Sequence, residues 1–178
     1  MFSQTMPQEV RSILNARFPE SKISPYVIPP ECDTQYVKLD PRAHPFYKCN
    51  LNLDTIPDYA IRIFTGKDQT IMEYFVAILS YKSSYQLFIL DSCTYKRGAG
   101  ERYLYLLKTG GKTNIFDNEH WNEITKFGKL SQHGGATFIS FPVDALITNP
   151  ICGGKFNEVE IRTYVFIKDH FYGFSSAD

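Results

Sequence analysis

At 178 residues the chain has the size of one domain, and 19 Lys+Arg against 19 Asp+Glu leave it with no formal charge. A hydrophobic fraction of 43% and an aromatic fraction of 15% exclude global disorder. The even charge balance argues against a nucleic-acid partner or a polybasic membrane face, and no apolar run approaches the ~18–20 residues needed for a membrane span.

In chain order, the first expected element is a helix over 8–18, where Val10, Ile13, Leu14 and Phe18 share one face, Pro7 and Glu9 suit the first turn and Pro19 stops it. Residues 24–45 hold Pro25, Pro29, Pro30, Pro41 and Pro45 and read as an extended wrapping segment, anchored by Tyr26, Val27, Ile28, Tyr36 and Val37. From residue 59 onward the pattern turns to strands. Residues 59–64, 70–80, 86–91, 103–107, 136–141, 159–167 and 171–174 are rich in β-branched and aromatic side chains. The breaks at Thr65-Gly66-Lys67-Asp68, Lys82-Ser83-Ser84 and Lys168-Asp169-His170 have hairpin lengths, which predicts sequential antiparallel pairing. A short second helix is expected over 119–126 around Trp121 and Ile124, limited by Gly128. The expected class is α+β: a single domain over 1–178 with an antiparallel meander sheet of about six or seven strands across 59–174 and the N-terminal helix packed on it.

Cys32, Cys49, Cys93 and Cys152 are widely spaced and form no metal or redox motif, so both buried thiols and one or two disulfides remain open. The start, Met1-Phe2-Ser3-Gln4-Thr5-Met6-Pro7, lacks the basic and apolar regions of a signal peptide, and a secreted origin also remains open.

The most informative stretch is Asn50-Leu51-Asn52-Leu53-Asp54-Thr55-Ile56-Pro57-Asp58. Asn50, Asn52, Asp54 and Asp58 supply oxygens at positions 1, 3, 5 and 9, and Ile56 offers a backbone carbonyl at position 7, the order in which a tight loop wraps Ca²⁺. Only two of these residues are acids, Thr55 replaces the usual glycine, and position 12 is Ile61 in place of a bidentate Glu. The stretch is therefore either a weak Ca²⁺ loop or a turn closed by side-chain hydrogen bonds from Asn50, Asn52 and Asp54 to nearby backbone. It resembles the D-x-N-x-D-G-x-x-D loop of FG-GAP/VCBS-type repeats. With Tyr59-Ala60, Arg17-Phe18-Pro19, His44-Pro45 and the aromatic closing hairpin, it is similar to a family of uncharacterised bacterial secreted or lipoprotein-like proteins carrying one such loop. That resemblance implies a secreted or periplasmic location and no particular reaction. A single copy of the loop does not make a propeller.

Gly111-Lys112-Thr113 lacks the first glycine of a phosphate loop, and Gly98-Ala99-Gly100 lacks the third glycine of a dinucleotide fingerprint, so both read as turns. Glu119, His120 and Glu123, with His133 or Cys93 brought in by folding, form the one candidate acid–base set, which would serve a hydrolase; surface solvation explains the same residues without catalysis. The aromatic residues of the strands suit sheet packing or, where exposed and contiguous, a protein-recognition surface. The expected function is a non-enzymatic binding protein, of an accessory, inhibitor or immunity type, using an aromatic face or the 108–135 loop. The hydrolase is the alternative.

Overall fold

A computed structural model describes residues 6–23, 44–66, 70–81, 83–96, 102–115, 119–150 and 161–176. Helix α1 spans Gln8–Arg17, and the Phe18 N–H closes it on the Leu14 carbonyl at 2.8 Å. Its apolar stripe follows the helical repeat, so Val10, Leu14 and Phe18 are all buried. The expected 8–18 helix is thus present, one residue shorter.

Strands β1 (Phe46–Cys49), β2 (Asp58–Thr65), β3 (Thr70–Tyr81) and β4 (Ser84–Lys96) pair in that order as an antiparallel meander. A second sheet holds β5 (Arg102–Leu107), β9 (Ala145–Pro150), β10 (Arg162–Ile167) and β11 (His170–Ser175), all antiparallel, in the order β11-β10-β9-β5. Between β5 and β9 the chain makes β6 (Lys112–Asn114), helix α2 (Trp121–Phe127), β7 (Lys129–His133) and β8 (Ala136–Ser140), whose strands form a third sheet in the order β6-β8-β7.

The α+β class and the antiparallel pairing hold, but the single meander of six or seven strands is replaced by three sheets of four, four and three strands. The cause is the excursion through β6, α2, β7 and β8, which makes β5 pair with β9 rather than with its sequence neighbour. The 108–135 region expected as a loop is largely β6, α2 and β7. The Pro-rich segment lies almost wholly outside the described residues, as do Cys32 and Cys152. Cys49 and Cys93 are free thiols.

The layers follow from alternation along the strands. One face of the first sheet, through Tyr59, Ile61, Ile63, Val76 and Ile78, receives α1. The other, through Tyr47, Ala60, Phe75, Ala77 and Leu79, packs on Leu104, Leu146, Tyr164 and Phe166 of the second sheet. The outer face of that second sheet, through Ala145, Val165, Ile167 and Phe174, is covered by Ile124 of α2 and by Ile139, Phe141 and Val143. Tight turns close three hairpins: Ser83 and Lys168 take φ of 69° and 61°, and Gly134 and Gly135 take 58° and 83°, the left-handed pair a two-residue turn favours.

At the end of α2, position 128 requires glycine for a steric reason. Its backbone is extended, but a Cβ there would lie 2.5 Å from both Cγ1 and Cδ1 of the buried Ile139. Gly128→Ala is expected to destabilise the protein by about 1–3 kcal/mol through overpacking, read as a lower urea midpoint.

Candidate functional site

The 50–58 stretch forms a compact elbow between β1 and β2, built around two carboxylates. Asp58 opens β2 and is fully buried. Its Oδ2 accepts the N–H of Leu51 at 2.7 Å and of Asn52 at 3.3 Å, and its Oδ1 accepts the N–H of Ser80 at 2.9 Å. Burial raises its pKa to about 6, against the opposing effect of the amide hydrogen bonds.

Asp144, just before β9, holds the other end. Its Oδ2 accepts the Asn50 N–H at 3.0 Å and the Lys108 ammonium at 3.2 Å, and its Oδ1 accepts the Thr109 N–H at 2.9 Å and hydroxyl at 3.1 Å. The Asp144 N–H returns a bond to the Asn50 carbonyl at 2.7 Å. Burial alone would raise the Asp144 pKa; the Asn50 and Thr109 amides and the Lys108 charge outweigh it and hold it below the ordinary carboxylate range. The nearby Cys49 thiol donates to the Asp58 carbonyl at 3.6 Å, and burial, reinforced by the two carboxylates, pushes its pKa well up. Cys49 is therefore an inert packing thiol.

Within the elbow, Asn52 Oδ1 accepts the Asp54 N–H at 3.0 Å, Asp54 Oδ1 accepts the Ile56 N–H at 2.8 Å, and Asn50 Nδ2 donates to the Asp54 carbonyl at 3.0 Å. Asn52 Nδ2 donates to Asp54 Oδ2 at 3.0 Å and to the Ser80 carbonyl at 2.6 Å. These donors do not fit a cation cage: Asp58 turns both oxygens to amide hydrogens, and Asn52 and Asp54 spend theirs on turn bonds. Among the described residues no three His, Cys, Asp or Glu side chains come together as a metal group. Millimolar Ca²⁺ against chelator is accordingly expected to leave the thermal midpoint unchanged; a rise would restore the cation loop.

Beside the polar Asn50 and Thr55, the elbow exposes two large aliphatic side chains. Leu53 is 72% exposed and Ile56 48%, on a backbone held from inside by side-chain bonds.

The acid–base candidates lie elsewhere. His120 precedes α2, with its Nε2 3.2 Å from Glu119 Oε1 and its ring edge-on to Tyr172 at 5.1 Å. Glu119, Glu123 and His133 are exposed, and no hydrogen bond or ion pair joins Glu123 or His133 to the other two. Cys93 is on β4, where its thiol donates to Glu73 Oε2 at 3.3 Å. Glu73 Oε1 in turn pairs with the Arg62 Nε, and both side chains have no exposed surface. The Arg62 guanidinium also stacks 4.2 Å from the centroid of the Phe64 ring.

Sequence reasoning missed Asp144 and the Arg62–Glu73 pair. Asp144 follows Phe141-Pro142-Val143 and carries no motif, whereas the opposite charges of Arg62 and Glu73, set in two adjacent apolar strands, were a readable signal. Of the described strand aromatics Tyr105, Tyr164, Phe166 and Phe174 are buried in packing, and the large exposed hydrophobics among the described residues are all aliphatic. Comparison with protein-family models, with curated proteins and with solved structures gave no match.

Proposed function

We propose that the protein is a non-enzymatic binding module that inserts Leu53 and Ile56, at the tip of the 50–58 elbow, into an apolar pocket of a protein partner. The supporting observation is the pairing of exposure with rigidity. Large aliphatic side chains project from a turn whose side-chain oxygens and amides are already bonded to one another and to Ser80 and Asp144. A loop pre-organised in this way binds without the cost of ordering it. An accessory, inhibitor or immunity-type protein of a secreted or periplasmic setting would use such a loop.

The test is affinity capture from the native extract with the wild type and with a Leu53→Asp/Ile56→Asp variant. The exposed positions predict an unchanged unfolding midpoint and the loss of a saturable protein ligand from the variant eluate, equivalent to at least about a hundredfold weaker binding. The same ligand recovered equally by both proteins would refute the role of the tip. Turnover by a Glu119, His120 and Glu123 set would favour the hydrolase instead.

A further inference from the structure

The two sides of the sandwich are closed differently. On one side the edge strand β1 is short, follows Pro45 and exposes Lys48, and it is tied to the second sheet by the Tyr47 hydroxyl donating to the Leu104 carbonyl at 2.9 Å. Short length, proline and lysine are the usual protections of a sheet edge. On the opposite side the edges are β4 and β11, brought together by Phe88, whose ring lies 5.5 Å from Phe171 and 5.6 Å from Phe166.

β4 is 13 residues long, with no Lys, Arg or Pro over 84–95, and β11 has none either. Among the described residues no strand pairs with the outer edge of 84–90 or of 170–174. A long edge that lacks lysine, arginine and proline over 84–95, and any charge over 84–90, is a template for another strand. Beside β4, Ile89 is 44% exposed and, with Leu87, Ile13, Ala16 and Arg17, lines an open groove of about 590 Å³ against α1.

We propose that a second copy of this chain docks here, β4 pairing antiparallel with its own symmetry mate across a two-fold axis and extending the four-stranded sheet to eight. The choice of a second copy rests on charge and symmetry. The 84–90 segment has no charged residue, so self-pairing sets no like charges opposite each other, and a chain of zero net charge meets its copy without long-range repulsion. A two-fold centred on Leu87 places Tyr85 opposite Ile89 of the second copy, both on the α1 face. The same rotation brings the two β11 edges to the one side. This interface borders the 50–58 elbow, whose Pro57 carbonyl accepts the Tyr85 hydroxyl at 3.1 Å, and it is tested at Ile89, away from Leu53 and Ile56.

Sedimentation velocity of the full chain over a roughly hundredfold dilution should show a monomer–dimer equilibrium, and Ile89→Lys should weaken it at least about tenfold with the circular dichroism spectrum unchanged. Amide exchange on the wild type gives a second readout that survives a folding failure of the variant: alternate 84–90 amides, those directed away from β3, should be protected when concentrated and exchange fast when dilute. A chain that stays monomeric over the whole range overturns the proposal. So does a dimer that Ile89→Lys leaves intact, or one whose 84–90 amides exchange equally fast at both ends of the series.

Discussion

Asp58→Ala is expected to destabilise the fold by about 4 kcal/mol, which for a chain of this size lowers the thermal midpoint by roughly 10 °C. The loss exceeds that of a single hydrogen bond because one carboxylate serves three amides. Leu51 N–H, Asn52 N–H and Ser80 N–H all end on it, and Leu51 and Ser80 are buried, so their donors would find no water in exchange. Asp58→Asn keeps one acceptor oxygen but turns an amide NH₂ toward an N–H, and about half the loss is expected. Chemical unfolding of the two variants beside the wild type measures both. A loss under about 1 kcal/mol for the alanine variant would mean that the elbow holds its shape without the carboxylate.

The same residue sets a pH dependence whose sign is unusual for an aspartate. The carboxyl titrates near 6 in the folded protein and near 3.8 when free. The folded state therefore binds the proton more tightly, and its contribution is fully present below the unfolded value and lost as pH rises through about 6. The advantage of the wild type over Asp58→Asn should thus be larger near pH 4 than near pH 7, by on the order of 2 kcal/mol. An advantage that grows toward neutral pH would show that the three amides, and not burial, govern the carboxylate.

Local pattern and long-range pairing differ in how far the sequence exposes them. The stripe Val10, Leu14, Phe18 and the hairpins closed at Ser83 and Lys168 depend on neighbours a few residues apart, and they form much as periodicity and turn residues predict. The pairing of β5 with β9 spans the excursion through the third sheet, and nothing in the composition of 103–107 tells it to wait for Ala145. The elbow is intermediate. Its oxygen spacing was visible, but whether Asp58 faces a cation or amides depends on Ser80, 22 residues away on β3, and on the bond from Asn50 to Asp144, 94 residues away. Spacing alone could not separate those outcomes, since both need the same Asx-type turn.

The buried pair of the first sheet is expected to show the other large effect. Arg62→Met should cost about 3–5 kcal/mol, because it strips a partner from Glu73, whose side chain lies on the inner face of the sheet with no solvent to take over. Glu73→Leu should cost a similar amount by taking a carboxylate away from the buried guanidinium that lies over Phe64. The informative variant is the double replacement, Arg62→Met with Glu73→Leu. Two apolar side chains of comparable volume remove both desolvation penalties at once, so the double variant is expected to be more stable than either single one, with a coupling of at least about 2 kcal/mol in the cycle. Additive single losses would mean that the two charges are solvated separately, and the inner face would then have to be held by hydrophobic contacts such as those of Phe75 and Phe166 rather than by the pair.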